Sequence, residues 1–263
     1  MCSLRTLIFI FLFISFFSCR EKPKSETSME EPALVSAEAS DDLKIIPIAH
    51  GSLLIQYGNT HIYVDPVGPI AQYDGQADPD LILITDIHGD HFSLETLEAL
   101  PTSKAKIIVP QAVAAKMPEV FTPQIEVLNN GESKERFGIN VAAIPMYNLR
   151  EEALGFHPKN RGNGYVLQLD EKRVYISGDT EDIPEMRALE NIDIAIVCMN
   201  LPYTMTVESA ASAVLDFAPK QVYPYHYRGR PDVSDVAAFK EMVYSGNPDI
   251  EVIQLDWYPN EDY

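Results

Sequence analysis

The stretch Leu81-Ile82-Leu83-Ile84-Thr85-Asp86-Ile87-His88-Gly89-Asp90-His91-Phe92-Ser93 sets two imidazoles and two carboxylates directly after an apolar run. The run has the length of a buried strand, and Gly89 supplies the sharp turn that lets alternate and adjacent side chains converge. Ser93 stands where a side-chain oxygen caps a following helix, here expected over Ser93 to Leu100. Imidazole and carboxylate together are the ligand types of open, hydrolytic divalent-metal sites, whereas a loop that merely caps a helix needs no imidazole pair. Asp86, His88, Asp90 and His91 are therefore candidate metal ligands at a strand end.

Outward from this stretch the pattern changes character. Before it, Lys44 to Ile48, Ser52 to Tyr57 and His61 to Val64 read as strands, the last two joined by the turn signal Gly58-Asn59. After it, short apolar strands alternate with helices. Strands are expected at Leu81 to Thr85, Lys106 to Val109, Ile125 to Leu128, Ile139 to Ile144, Gly164 to Leu169, Arg173 to Ser177, Ile192 to Cys198, Gln221 to Tyr225 and Glu251 to Leu255. Helices fit Gln111 to Lys116, Pro184 to Glu190, Val207 to Phe217 and Val233 to Tyr244. So many strands with helices between the later ones suit an α/β (α+β) arrangement of two sheets flanked by helices, a four-layer αββα sandwich, better than one doubly wound sheet.

Two later strand ends carry further polar side chains: Val174-Tyr175-Ile176-Ser177-Gly178-Asp179-Thr180 and Val222-Tyr223-Pro224-Tyr225-His226-Tyr227-Arg228. Alone, a Gly-Asp-Thr turn is ordinarily only a turn, and a single strand-end histidine is ordinarily structural. Taken with Asp86-x-His88-x-Asp90-His91 they resemble, in order and spacing, the metallo-β-lactamase superfamily, whose signature is His-x-His-x-Asp-His at a strand end. The resemblance covers most of residues 43–263 and implies a single-domain metallo-β-lactamase sandwich, with Asp179 as bridging carboxylate and His226 as the last ligand. The opening Ala49-His50-Gly51-Ser52, with a hairpin ending Val64-Asp65-Pro66, looks like the branch containing L-ascorbate-6-phosphate lactonase and N-acylphosphatidylethanolamine phospholipase D.

Two positions depart from that pattern. Asp86 replaces the first histidine of the signature, and the family's isolated middle histidine falls at Asn148. The resemblance thus implies one metal position held by Asp86, His88, Asp179 and Asn148, and a second held by Asp90, His91, Asp179 and His226. An oxygen-rich first position binds Zn less strongly than three histidines do and tolerates harder ions. Zn is the expected ion, one or two per chain, with Mn or Fe as alternatives. His157, in a Gly-rich loop, is a candidate replacement ligand or substrate contact; Lys159 and Arg161 beside it are candidate positive charges for a phosphate. His50 is expected beside the ligands rather than among them.

The chemistry so implied is attack by a metal-bound hydroxide on an ester, lactone or phosphodiester, with Asp90 orienting the water and accepting its proton. Asp90 and His226 are the residues expected to carry catalysis. Tyr225, Tyr227 and Arg228 beside His226, and Tyr203 on another strand end, are candidate substrate or oxyanion contacts. The alternative is a lipid-anchored metal- or ligand-binding protein that keeps the fold without turnover.

Composition narrows the partners. The 263 residues carry 39 acidic and 20 basic side chains, a net charge of -19, which argues against nucleic acid as the main partner; a small-molecule or lipid substrate is expected. With three cysteines, two of them in or beside the leader, there is no disulfide framework, and Cys198 at the end of an apolar run reads as a buried thiol. Residues 1–18 read as a lipoprotein signal peptide, the apolar stretch Leu7 to Phe17 being shorter than the ~20 residues of a membrane span. Phe16-Phe17-Ser18-Cys19 resembles the lipobox of bacterial lipoproteins, with Phe16 where Leu or Val is usual. Residues 19–42, rich in Glu, Ser, Lys, Pro and Ala, read as a disordered tether, and residues 43–263 as the folded domain. These readings place the protein at the bacterial cell envelope, membrane-anchored through lipidated Cys19.

Overall fold

A computed structural model describes residues 43–259. The expected signal peptide, Cys19 and the tether lie outside the described residues.

The first sheet contains β1 (Leu43–Ala49), β2 (Ser52–Tyr57), β3 (Thr60–Val64), β4 (Leu81–Leu83), β5 (Lys106–Val109) and β6 (Ile125–Val127), paired in that order. Its first three strands are antiparallel and the rest run parallel. The second sheet holds β7 (Ser133–Arg136), β8 (Ile139–Met146), β9 (Gly162–Leu169), β10 (Lys172–Ile176), β11 (Ile194–Cys198), β12 (Gln221–Tyr225) and β13 (Glu251–Val252), again in chain order. The helices are α1 (Leu94–Ala99), α2 (Gln111–Ala114), α3 (Pro184–Arg187), α4 (Val207–Phe217) and α5 (Val236–Gly246).

Side-chain alternation explains the layering. Leu53 and Ile55 of β2, Ile62 of β3, Leu81 and Leu83 of β4 point to one face and pack between the sheets against Val141, Tyr165 and Leu167. Their neighbours Leu54, Tyr63 and Ile82 point the other way, into a separate cluster with Leu97 of α1. Both faces of the first sheet are thus buried, and α4 and α5 cover the far side of the second with Ala210, Val214, Phe217, Phe239 and Val243. This is the αββα sandwich in a single domain.

The carboxyl ends of β3, β4, β10, β11 and β12 carry the polar segments singled out above. Ser93 caps α1 as expected, accepting from the Thr96 amide at 3.2 Å, a contact worth about 1 kcal/mol. Cys198 is fully buried, and burial pushes its thiol up to about 12. One strand was not expected: β7 reads Ser-Lys-Glu-Arg, an edge strand whose side chains are exposed or half-buried and so carry no apolar signal.

Candidate metal centre

Three strand ends deliver three ligand-type side chains to one point. Nε2 of His91, after β4, lies 3.2 Å from Oδ2 of Asp179, after β10. Nε2 of His226, after β12, lies 3.2 Å from His91 Nε2 and 3.4 Å from Asp179 Oδ1. All three side chains are buried. Asp90 joins from the exposed side, its carboxylate 3.6 Å from His226 Nε2 and 3.9 Å from His91 Nε2. His50 stands next to it with Nε2 3.6 Å from Asp90 Oδ2, its other nitrogen 2.8 Å from the Tyr258 hydroxyl. The backbone bends sharply to achieve this: His50 (φ 54°), Asp65 (φ 45°) and His226 (φ 46°) all adopt left-handed geometry, which side chains other than glycine take up only when the surroundings demand it.

The separations suit a shared cation. Ligand atoms about 2.0–2.1 Å from an ion in tetrahedral coordination lie about 3.3 Å from one another. Those of His91, Asp179 and His226 stand 3.2, 3.2 and 3.4 Å apart. Chemistry agrees, because Asp65, fully buried after β3, lies 2.7 Å from His91 Nδ1 and accepts a hydrogen bond from it, so that a ring with one proton keeps it on Nδ1 and turns Nε2 inward as the ligand atom. Asp179 Oδ1 is buried without a hydrogen-bond partner among the described residues, and an orphaned atom of this kind marks a missing partner. Gly51 lies beneath the rings; a Cβ there would stand 2.9 Å from His226 Cδ2.

Electrostatics follow the same geometry. Burial opposes charge on Asp179, yet His226 and His91 hold its carboxyl well below the usual range. Burial likewise opposes charge on Asp90, and His226 and His50 more than offset it, leaving that carboxyl far below its ordinary value. Burial disfavours a proton on His91, but Asp179 and Asp65 on either side raise its pKa well above that of a free imidazole. His50 is shifted the other way, by burial and then by His226, against the pull of Asp90.

The other half of the expected ligand set is arranged differently. Asp86 is fully buried, and Arg161 grips it with two hydrogen bonds, Nε to Oδ1 at 3.0 Å and Nη2 to Oδ2 at 2.7 Å. His88 Nδ1 lies 2.9 Å from Asp86 Oδ2. Asn148 does not join them. Its side-chain amide donates to the carbonyls of Ala153 at 2.9 Å and Tyr203 at 2.6 Å, tying two loops together. The imidazole absent at Asn148 is offered instead by His157, buried, with Nε2 3.2 Å from Asp179 Oδ2 and its ring edge-on to His88.

A cavity of about 360 Å³ opens over the centre, lined by His50, His88, Asp90, His157 and Asp179 together with Phe156, Tyr203, Arg228 and Arg230. Phe156 and Tyr203 meet edge to face, ring centroids 5.0 Å apart. Arg228 lines the cavity, its guanidinium over the Tyr258 ring. Tyr225 does not. It is fully buried with its ring against Trp257, because β12 is buried on both faces and strand alternation turns Tyr225 into the core. Tyr227, also buried, packs edge-on against Tyr258. Lys159 turns outward to Glu185 (2.9 Å) and Tyr147 (3.2 Å), and Arg161 is spent on Asp86, so neither supplies the phosphate contact expected of it.

Sequence reasoning also passed over Asp65 as a functional group, although a carboxylate between the apolar end of β3 and Pro66 was a usable sign. Glu181 was missed entirely. It is buried and accepts from the Leu149 and Arg150 amides, both at 2.8 Å, and from Arg150 Nε at 2.6 Å, pinning the loop that carries His157.

Residues 44–226 match the family model of the β-lactamase superfamily domain. A UPF0173 metal-dependent hydrolase of Pyrococcus abyssi is 29% identical over 211 residues, spanning 76% of this chain and 92% of that protein. Among solved structures, a protein of Parabacteroides distasonis assigned as a metal-dependent hydrolase superposes with a TM-score of 0.72 at 38% identity, covering 81% of this chain and 92% of its own. Igni18, a metallo hydrolase of Ignicoccus hospitalis, shares the fold with a TM-score of 0.68 at 23% identity, covering 81% of this chain and 95% of its own.

Proposed function

The chain belongs to the metallo-β-lactamase superfamily and is a metal-dependent hydrolase of that fold, and from that premise we propose that it cleaves an ester, lactone or phosphodiester bearing an anionic group. The observation that carries this reading is the convergence of His91, Asp179, His226 and Asp90 beneath a cavity with Arg228 and Arg230 in its wall. In a protein of net charge -19, two arginines beside the site are the local attraction that an anionic substrate needs. The opening Ala49-His50-Gly51-Ser52 supports a place near the branch of L-ascorbate-6-phosphate lactonase and N-acylphosphatidylethanolamine phospholipase D, which act on substrates of this general kind.

His91, Asp179, His226 and Asp90 would hold the cation, for which zinc is our assignment, with manganese or iron as alternatives: two imidazoles and two carboxylates suit a borderline ion. When bound, the cation supplies Lewis acidity, easing ionisation of a water and polarising the substrate oxygen. Asp90 accepts a hydrogen bond from the attacking water. Ionised beside the cation, its carboxylate orients the water and passes the proton on. His50, hydrogen-bonded to Tyr258, stands next to receive it. Phe156 and Tyr203 give the organic part of the substrate an apolar wall, and Arg228 and Arg230 hold its negative charge.

Residues 1–42 complete the proposal: export and lipidation at Cys19 would tether the hydrolase at the cell envelope. Membrane fractionation of Cys19→Ser tests that part. For the chemistry, metal content is measured on purified protein, and hydrolysis of aryl esters, lactones and aryl phosphodiesters is assayed after Zn, Mn and Fe reconstitution. Asp90→Ala is expected to lose at least a hundredfold in rate, about 2.7 kcal/mol of barrier. Unchanged hydrolysis in that variant would remove Asp90 from the mechanism.

A further inference from the structure

Among the described residues three groups of ligand-type side chains lie within the centre, and Arg161 enters the one formed by Asp86, His88 and His157. Around His91, Asp179 and His226, ligand-type atoms face one another at 3.2–3.4 Å, and buried Asp179 Oδ1 has no hydrogen-bond partner among the described residues. Around Asp86 and His88 the account is closed. Both oxygens of Asp86 receive hydrogen bonds from Arg161, and Oδ2 takes a further one from His88 Nδ1 at 2.9 Å. With its proton on Nδ1, His88 presents Nε2 as an acceptor, and Arg161 Nη2 lies 3.3 Å from it. The same Nη2 donates to the carbonyl of Phe156.

We propose that the Arg161 guanidinium occupies the place of a second cation, so that this hydrolase works with a single divalent ion per chain, held on the His91, Asp179 and His226 side. The inference rests on the reading that those three residues bind a cation, and adds what the neighbouring position does. An ion bound to Asp86 Oδ2 and His88 Nε2 would have to displace the Nη2 group that already bonds both atoms. It would also have to lie against a guanidinium that cannot shed its proton. Arginine suits the place because its planar fork meets a carboxylate with two parallel bonds, an arrangement lysine cannot reproduce. The local sequence makes the substitution possible: residues 157–161 deliver an imidazole to Asp179 and a guanidinium to Asp86 in one short segment. Gly162 follows directly, and a Cβ there would stand 2.8 Å from the Thr85 carbonyl, so the chain passes close enough to the Asp86 loop for Arg161 to reach it.

Arg161 is thus a positioning residue, and the decisive readout is metal stoichiometry. Full-length protein is loaded with Mn²⁺ and with Zn²⁺, freed of excess ion, and analysed by elemental and native mass spectrometry. Manganese samples are also examined by electron paramagnetic resonance. The wild type is expected to hold about one ion and to show the spectrum of isolated Mn²⁺. Arg161→Ala exposes the Asp86 carboxylate and His88 to solvent cations and is expected to hold about two, with a spin-coupled spectrum. Arg161→Lys keeps a positive charge and is expected to remain near one. Asp86→Asn with Arg161→Gln, which removes both charges of the pair together, guards against misfolding of the alanine variant and is likewise expected to stay near one. Two coupled ions in the wild type would overturn this inference while leaving the metal centre intact, as would an Arg161→Ala protein that folds and still holds one. A wild type that binds none would overturn the centre itself and this inference with it.

Discussion

Asp65 and His91 form the most deeply buried ion pair of the centre, Oδ2 to Nδ1 at 2.7 Å with both side chains inaccessible to solvent. Thr85 completes the arrangement by donating to Asp65 from its amide at 2.7 Å and its hydroxyl at 2.6 Å. The carboxylate therefore sets both the orientation and the tautomer of the imidazole. Asp65→Asn removes the charge and weakens the hold on Nδ1, and metal affinity is expected to fall by about 10- to 100-fold. Chelator competition measures it, and the melting temperature of the metal-free variant separates loss of ligand orientation from loss of fold. Unaltered affinity in a folded variant would mean that His91 is not a ligand.

Proton release gives a second check. In the metal-free protein, Asp179 and Asp65 raise the pKa of His91 well above its usual value, against the effect of burial, so near neutral pH the ring carries a proton on each nitrogen. A cation at Nε2 has to displace one of them. Asp90 and Asp179 are shifted down and are already ionised, so they release none. Apparent affinity should therefore rise with pH by about tenfold per unit through the neutral range and level off above the raised pKa of His91. Calorimetry at pH 7 in buffers of different ionisation enthalpy should report about one proton released per ion bound. A binding enthalpy independent of the buffer would contradict this assignment.

The same pair shows how far the sequence alone reaches. Strong local patterns located the strands well: β2, β5 and β12 and helix α4 begin and end where apolar runs and caps place them. The Asp86 to His91 loop, Asp179 and His226 were legible because strand ends advertise themselves as apolar runs broken by polar residues. What loops do with their side chains was not. Residues 148–161 carry no periodicity, so nothing in their order says that Asn148 ties down Tyr203 while His157 reaches Asp179. Arg161 and Lys159, two residues apart and alike in charge, go to different partners because Asp86 is fully buried and needs a paired charge whereas Glu185 lies in a half-exposed position. Tyr225 was misplaced for a related reason: in a strand buried on both faces, alternation does not show which residue meets the cavity.

The loop bearing His157 depends on Arg150. Its guanidinium donates to buried Glu181 at 2.6 Å and to the carbonyls of Thr204 at 2.7 Å and Pro202 at 2.9 Å, joining the two loops that carry Phe156 and Tyr203. Arg150→Met keeps the aliphatic stem but leaves Glu181 buried with only two backbone amides. Loss of a partner by a buried charge costs about 3–5 kcal/mol when both groups are fully enclosed. Arg150 is partly exposed and water can reach its side of the pair, so about 2 kcal/mol is expected, read from urea unfolding of the metal-free protein. Hydrogen exchange should accelerate around residues 148–161. Full stability with unchanged exchange would show that the loop is held by other contacts.

Two glycines beside the centre allow a matched comparison. Gly51 lies directly under the rings, and an added Cβ would stand 3.4 Å from His91 Cε1 and 2.9 Å from His226 Cδ2, the latter closer than carbon atoms pack. Gly89 sits between His88 and Asp90 in the loop itself, yet a Cβ there meets nothing within 4 Å. Neither glycine adopts a left-handed φ, so the two alanine substitutions differ in local space rather than in backbone strain. Gly51→Ala is expected to push His226 off its position, costing about 1–3 kcal/mol of stability and at least tenfold in metal affinity. Gly89→Ala is expected to change stability by less than about 0.5 kcal/mol and to leave metal affinity within twofold. Thermal unfolding and chelator competition on both variants decide the matter. Equal effects would mean that the rings tolerate displacement, and that the close approach of Gly51 is not what sets the geometry of the site.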